Sequence, residues 1–161
     1  MEKSNTKDVG QILFDLAKHF PTSEISWRTQ RVFQSYKDKK WYALALAYLS
    51  VRQVQDRLTE VMGHNWQCKH TVYGSKTVCS LGLKLDGEWI WRSDGAGDTN
   101  YEADKGAMSD SFKRSAVMWG IGRHLYELPS VWVKCETKNG RFSRFTQDPW
   151  QVVQSKKSDF N

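Results

Sequence analysis

In residues 8–20, Val9, Ile12, Leu13, Leu16 and Phe20 recur at spacings of three and four, which predicts a helix that Pro21 stops. Residues 25–33 mix Trp27 with Arg28 and read as a connecting strand or extended loop, before a basic cluster of Lys37, Lys39 and Lys40. A second helix is predicted from about Ala47 to Met62, where Val51, Val54, Leu58 and Val61 keep a helical period and Gly63 supplies the stop. The period then changes to two. Trp66, Cys68, His70 and Val72 alternate with polar neighbours, and a Gly74-Ser75 turn leads into Cys79, Leu81, Leu83 and Leu85. Asp86-Gly87 is a strong hairpin turn signal and launches a third strand through Trp89 and Trp91. Residues 94–101, rich in Gly and Asp, read as a loop. Residues 105–126 have the length and apolar spacing (Met108, Phe112, Ala116, Trp119) of a long helix lying across a sheet. Gly120 and Gly122 fall inside that helix, where close packing accounts for them. Residues 131–145 read as a small hairpin turning at Asn139-Gly140, and the polar stretch from Gln154 as a flexible tail.

The pattern defines an α+β fold: a β-β-β-α core with a three-stranded antiparallel meander, preceding helices and a small C-terminal hairpin. A chain of 161 residues fits one domain, taken as residues 1–153 with a flexible polar tail at 154–161. Composition then narrows the class. With 39% hydrophobic residues and a mean hydropathy of −0.66, nothing indicates a membrane protein. Eight Trp and 13% aromatic residues are too many large apolar side chains for a disordered chain. The three cysteines, Cys68, Cys79 and Cys135, match neither a disulfide framework nor paired zinc ligands. With no apolar h-region in the first twenty residues, a reducing, cytoplasmic setting is expected.

The net charge of +6 and pI near 9.2 point toward a polyanionic partner. The excess is uneven: residues 1–60 hold 10 basic and 7 acidic side chains, 61–104 hold 4 and 6, and 105–161 hold 10 and 5. Several chemistries are missing. No Gly-Lys dipeptide exists for a phosphate-cradling P-loop, so ATP-driven work is not expected and no cofactor is assigned. There is no Gly-x-Ser-x-Gly elbow and no His-Glu-x-x-His helix, and Cys68-x-His70 has no second ligand pair, so no metal or catalytic residue is assigned. The acidic set Asp86, Glu88, Asp94, Asp98 and Asp104 raises a metal-dependent nuclease, but turns and loops account for most of these positions.

A binding chemistry remains, in which basic side chains neutralise phosphates beside aromatic rings on which unpaired bases stack. Lys113 and Arg114 adjoin on the long helix, Lys105 precedes them by two turns, Arg28 follows Trp27, and Lys76 sits just after the first hairpin tip. Asp110 and Arg114, four apart, also suit an ordinary surface ion pair.

The ordered set of an Ile25-Ser26-x-Arg28 segment, a helix ending near Asn65-Trp66, three strands with an Asp86-Gly87 turn, and Lys105-Gly-Ala-Met-Ser-Asp110-Ser-Phe-Lys113-Arg114-Ser-Ala resembles the RAD fifty-two family of single-strand annealing proteins. Phage recombinases are the nearest match in size, and the resemblance covers about residues 8–128. It implies homo-oligomers arranged as rings or helical assemblies, with single-stranded DNA held phosphates inward in a basic outer groove. It also implies ATP-independent annealing in homologous recombination and DNA repair, without catalysis. By motif position Lys113 and Arg114 resemble the pair on the groove floor, Arg28 resembles the arginine preceding the second helix, and Lys76 lies on a hairpin that overhangs the groove. Val117 departs from the pattern, since eukaryotic members tend to carry another Arg there. A single-strand binding protein or an exonuclease is the protein partner class left open. A double-stranded RNA module is the alternative, because it also runs helix, three strands, helix.

Overall fold

The computed structural model describes residues 7–97 and 103–158. Its elements are α1 (Val9–Leu16), β1 (Ser26–Gln34), β2 (Trp41–Tyr48), α2 (Val51–Met62), β3 (Trp66–Tyr73), β4 (Lys76–Leu85), β5 (Glu88–Gly97), α3 (Ala103–Met118), β6 (Val131–Lys138), β7 (Arg141–Phe145) and α4 (Pro149–Ser158). The class is α+β with antiparallel sheets. The chain packs as two compact units: the residues up to Phe20 with Leu49–Arg123, and Pro21–Tyr48 with the residues from His124 onward.

In the first unit, β3, β4 and β5 form the expected meander, with Asp86 and Gly87 both at positive φ in the tight turn between β4 and β5. Cys79, Leu81, Leu83 and Ala96 face inward and are buried, as are Phe112, Ala116 and Trp119 of the α3 region. The stripe on α3 is not purely apolar. Met108 is exposed, while Ser111 and Ser115 are fully buried. Each hydroxyl is satisfied: Ser111 Oγ donates to Met108 O at 3.0 Å, and Ser115 Oγ donates to Cys79 O at 2.6 Å and accepts from Asp94 N at 3.1 Å. Small, hydrogen-bonded serines therefore stand where large apolar side chains are the usual filling. Leu16, Phe20, Val54, Leu58 and Met62 are the buried residues of the α1–α2 segments. Arg57 ties the two helices, donating from Nη1 to Leu16 O (3.0 Å) and Lys18 O (2.7 Å) with its guanidinium over the Phe20 ring.

Four expectations change. Residues 41–48 are strand β2, and α2 begins at Val51, where Ser50 and Gln53 make a reciprocal capping box. β5 runs on to Gly97, so residues 94–97 are strand; 98–102 lie outside the described residues. The long helix ends at Met118 rather than Tyr126. Gly120 and Gly122 take φ of +95° and +74°, and a Cβ on Gly120 would lie 3.1 Å from Ala17 Cβ. These glycines terminate the helix and also permit the close packing expected of them. Finally, residues 154–158, read as the start of a polar tail, belong to helix α4, with Val153 buried.

In the second unit the C-terminal hairpin forms as expected, turning at Asn139-Gly140, but joins a four-stranded sheet in the order β1-β2-β6-β7. Its core is Ala45, Val131, Val133 and Val153, bordered by Trp27 and Phe145. The Trp27 and Trp150 rings meet edge to face at 5.0 Å.

Burial pushes the Cys79 thiol up to about 11 and raises those of Cys135 and Cys68 as well, but of the three only Cys68 is open to solvent. At pH 8 a thiol reagent should therefore titrate Cys68 first, and the other two only as fast as the fold opens. Counting released chromophore in native and denatured protein checks this, and three equally fast thiols in the native state would contradict the packing.

Candidate nucleic-acid interface

The inward stripe of α3 leaves residues 110, 113, 114 and 117 on its flank. Lys113 is half-buried, Arg114 and Asp110 are about half exposed in their side chains, and Arg114 Nε lies 3.4 Å from Asp110 Oδ2. The ion pair expected from the i,i+4 spacing is thus present, and it leaves Arg114 accessible. An exposed pair of this kind contributes at most about 1 kcal/mol to stability. Asp110 also places a negative charge directly beside the Arg114 guanidinium. Val117 is half-buried on the same flank, so an apolar side chain follows the cationic pair there.

Lys105 lies in the first turns of α3, and its side chain falls outside the described residues. Lys76 opens β4 directly after the Gly74-Ser75 turn, exposed, at the Tyr73↔Lys76 register pair. Its side shares no face with α3: inward positions of β4 are Thr77, Cys79 and onward, so Lys76 points to the opposite face of the sheet. Lys113 and Arg114 are therefore brought together, and Lys76 is not with them.

Arg28 is on β1 of the second unit, exposed, with its guanidinium 6.0 Å from the centroid of the Tyr48 ring. Arg31 reaches the same face of that sheet, 5.7 Å from the centroid of Trp132. Residues three apart on a regular strand face opposite sides, but the register shift between Thr29 and Val32 turns Arg31 to join Arg28. Arg31 was not among the expected site residues, because an irregularity of this kind has no period to reveal it. Phe33 and Tyr42 stack on the same face at 5.7 Å. Lys37, Lys39 and Lys40 occupy the tip of the β1–β2 hairpin, where Asp38 accepts from Lys40 N at 2.9 Å and from Tyr42 Oη at 2.8 Å. Those two bonds, the backbone one foremost, hold the Asp38 carboxyl below its usual range, so it stays ionised inside a basic turn.

Among the described residues no group of three or more His, Cys, Asp and Glu is placed to hold a metal ion, and no helix is long and apolar enough to cross a membrane. What the two units offer is cationic side chains beside aromatic rings, a set suited to binding a nucleic-acid strand through phosphates and bases.

Comparison with known proteins points the same way. Residues 80–142, which take in most of β4 together with β5, α3 and β6, match the family described as Rad52/22 family double-strand break repair protein. The chain is 35% identical over 115 residues to the single-stranded DNA-binding protein DdrA of Deinococcus radiodurans, covering 70% of this chain and 53% of that one. It is also 35% identical over 123 residues to the protein of the same name from Deinococcus deserti, covering 71% and 56%. The chain thus spans about half the length of the curated relatives it matches. No solved structure matches it. The family match thus falls on the sheet and helix that carry Asp110, Lys113 and Arg114, and the chain is similar to both relatives over most of its own length.

Proposed function

We infer that the protein binds single-stranded DNA and anneals complementary strands without a nucleotide cofactor, in recombination and repair. The observation that carries this reading is the Lys113-Arg114 pair on the flank of α3, inside the segment matched to the family. Annealing needs no covalent catalyst. Two strands repel through their phosphates; Lys and Arg side chains lower that repulsion and hold the backbone extended, and base pairing supplies energy and specificity. Arg28 is assigned to the same strand by its place in the family motif, and Lys105 and Lys76 as additional cations. One subunit carries too few cations to order a long strand, so a homo-oligomer, ring or helical, is proposed to repeat the site.

The element order α2-β3-β4-β5-α3 is also that of a double-stranded RNA module, which makes duplex RNA the informative competitor. Anisotropy titration of a labelled single-stranded oligonucleotide, with unlabelled duplex RNA as competitor and no nucleotide present, separates the two. Tight single-strand binding that duplex RNA fails to displace supports the annealing reading. Displacement by duplex RNA at lower concentration than by single strands would favour the RNA module.

Asp110 gives a finer test. Asp110→Asn removes the charge facing Arg114 while keeping the side chain's shape, so single-strand affinity should rise about three- to tenfold at low salt, with thermal stability changed by no more than about 1 kcal/mol. Unchanged or weaker binding would remove the phosphate from the neighbourhood of Arg114.

A further inference from the structure

The face of the β3-β4-β5 sheet opposite α3 concentrates cations and aromatic rings. Register fixes its membership: Lys69 pairs with Ser80, Gly82 with Trp91, Lys84 with Trp89, and Tyr73 with Lys76. Residues paired in an antiparallel ladder share a face, so Lys69, Lys76, Lys84, Tyr73, Trp89 and Trp91 all lie on the side away from the buried Cys79, Leu81 and Leu83. No outward strand position on this sheet is acidic; Glu88 and Asp94 pair with the inward Leu85 and Cys79. The face is thus uniformly cationic.

Its aromatics are displayed rather than buried. Trp89 is 39% exposed and Tyr73 is 65% exposed. Trp91 lies against the β4 backbone at Gly82, where an added Cβ would come within 2.8 Å of the indole ring. A glycine in a strand interior costs about 0.5–1 kcal/mol relative to alanine, and here its lack of a side chain is what lets the ring lie close over the strand. Lys69 Nζ sits 4.6 Å from the Trp91 centroid, and the Trp89 ring is 6.2 Å from Trp91 and tilted by 30°. Two indoles at that spacing, with lysines on both sides and no carboxylate among them, have the chemistry of a base-stacking platform for an extended polyanion.

We propose that this face is a second contact site for single-stranded nucleic acid, in which bases stack on Trp91 and Trp89 while Lys69, Lys84 and Lys76 meet the adjoining phosphates. The proposal rests on the single-strand reading above and extends it: α3 offers contacts to phosphates alone, and this face engages bases. A base arriving on Trp91 displaces the Lys69 ammonium from the ring onto the neighbouring phosphate, so stacking and charge neutralisation occur together. Because every base has a π-face, the site accepts any sequence.

The test uses the whole chain with a fluorescein-labelled oligothymidylate. Trp91→Ala should weaken binding about fivefold or more, the loss of one stacked base, and Trp91→Phe should recover most of it. Lys69→Ala with Lys84→Ala should flatten the dependence of affinity on salt while leaving thermal unfolding unchanged, and remains informative if Trp91→Ala unfolds. Sedimentation of each variant is measured alongside. Tight binding by the wild type with unchanged affinity in all variants would overturn the platform and leave the single-strand reading standing. Loss of affinity together with a changed assembly state would make the face a contact between copies of the chain, which also overturns it. Failure of the wild type to bind the oligonucleotide would instead overturn the reading on which the proposal rests.

Discussion

Replacing Lys113 and Arg114 together with alanine is expected to weaken single-strand binding about a hundredfold or more near 0.1 M salt, taking about 1.5 kcal/mol or more for each of the two charged hydrogen bonds lost. The slope of log affinity against log salt should fall by about 0.7 for each phosphate contact removed, the value for single strands. The fold should survive. The ion pair that Arg114 forms with Asp110 is exposed, and both altered residues lie off the stripe of Ser111, Phe112, Ser115 and Ala116 that packs inward. Lys113 is half-buried, so circular dichroism and thermal unfolding accompany the titrations. Loss of binding with an unchanged melting curve places the phosphate site on α3; equal affinities and slopes would remove it from there.

Trp119→Ala is the substitution expected to cost most stability, about 3–5 kcal/mol, the range for deleting a buried aromatic side chain. The indole is 3% exposed at the end of α3, and its Nε1 donates to Leu81 O at 3.1 Å. The Arg92 guanidinium stacks on its ring at 4.1 Å and donates through Nη1 to Met118 O at 2.6 Å. Alanine therefore opens a cavity between helix and sheet, leaves a buried strand carbonyl without its donor, and removes the surface that positions Arg92. Urea denaturation followed by fluorescence measures the loss. A change under 1 kcal/mol would mean that the α3 terminus is not packed as described.

The β3-β4-β5 meander and α3 were legible in the sequence because each has one buried face. Cys79, Leu81, Leu83 and Leu85 alternate with polar or small neighbours, and Asp86-Gly87 fixes the register of the last hairpin. Strand β2 was not legible for the opposite reason. Ala43 and Ala45 fill the core while Tyr42, Leu44 and Leu46 line the other face, so the run Trp41–Tyr48 is apolar at every position and shows no period. Its neighbour α2 did carry a start signal, the Ser50-x-x-Gln53 capping box, which excludes Ala47 as the helix start. The end of α3 was obscured because glycines inside an apolar stretch read equally as helix packing or as a left-handed stop, and Gly120 is both. For the site, composition revealed a basic, aromatic chain, and the motif singled out Lys113, Arg114 and Arg28. Arg31 depends on a local register shift, and the Trp89–Trp91 surface on which side of the sheet α3 covers, neither of which spacing alone specifies.

The central claim is annealing itself, and the rate of duplex formation between two complementary strands labelled with a donor and an acceptor dye tests it most directly. The assay contains no nucleotide and compares the protein-free rate with those of the wild type and of Lys113→Ala, Arg114→Ala. Strong acceleration by the wild type that the double variant loses is the predicted result. Single-strand binding without any acceleration of pairing would contradict annealing and leave a protein that only sequesters the strand.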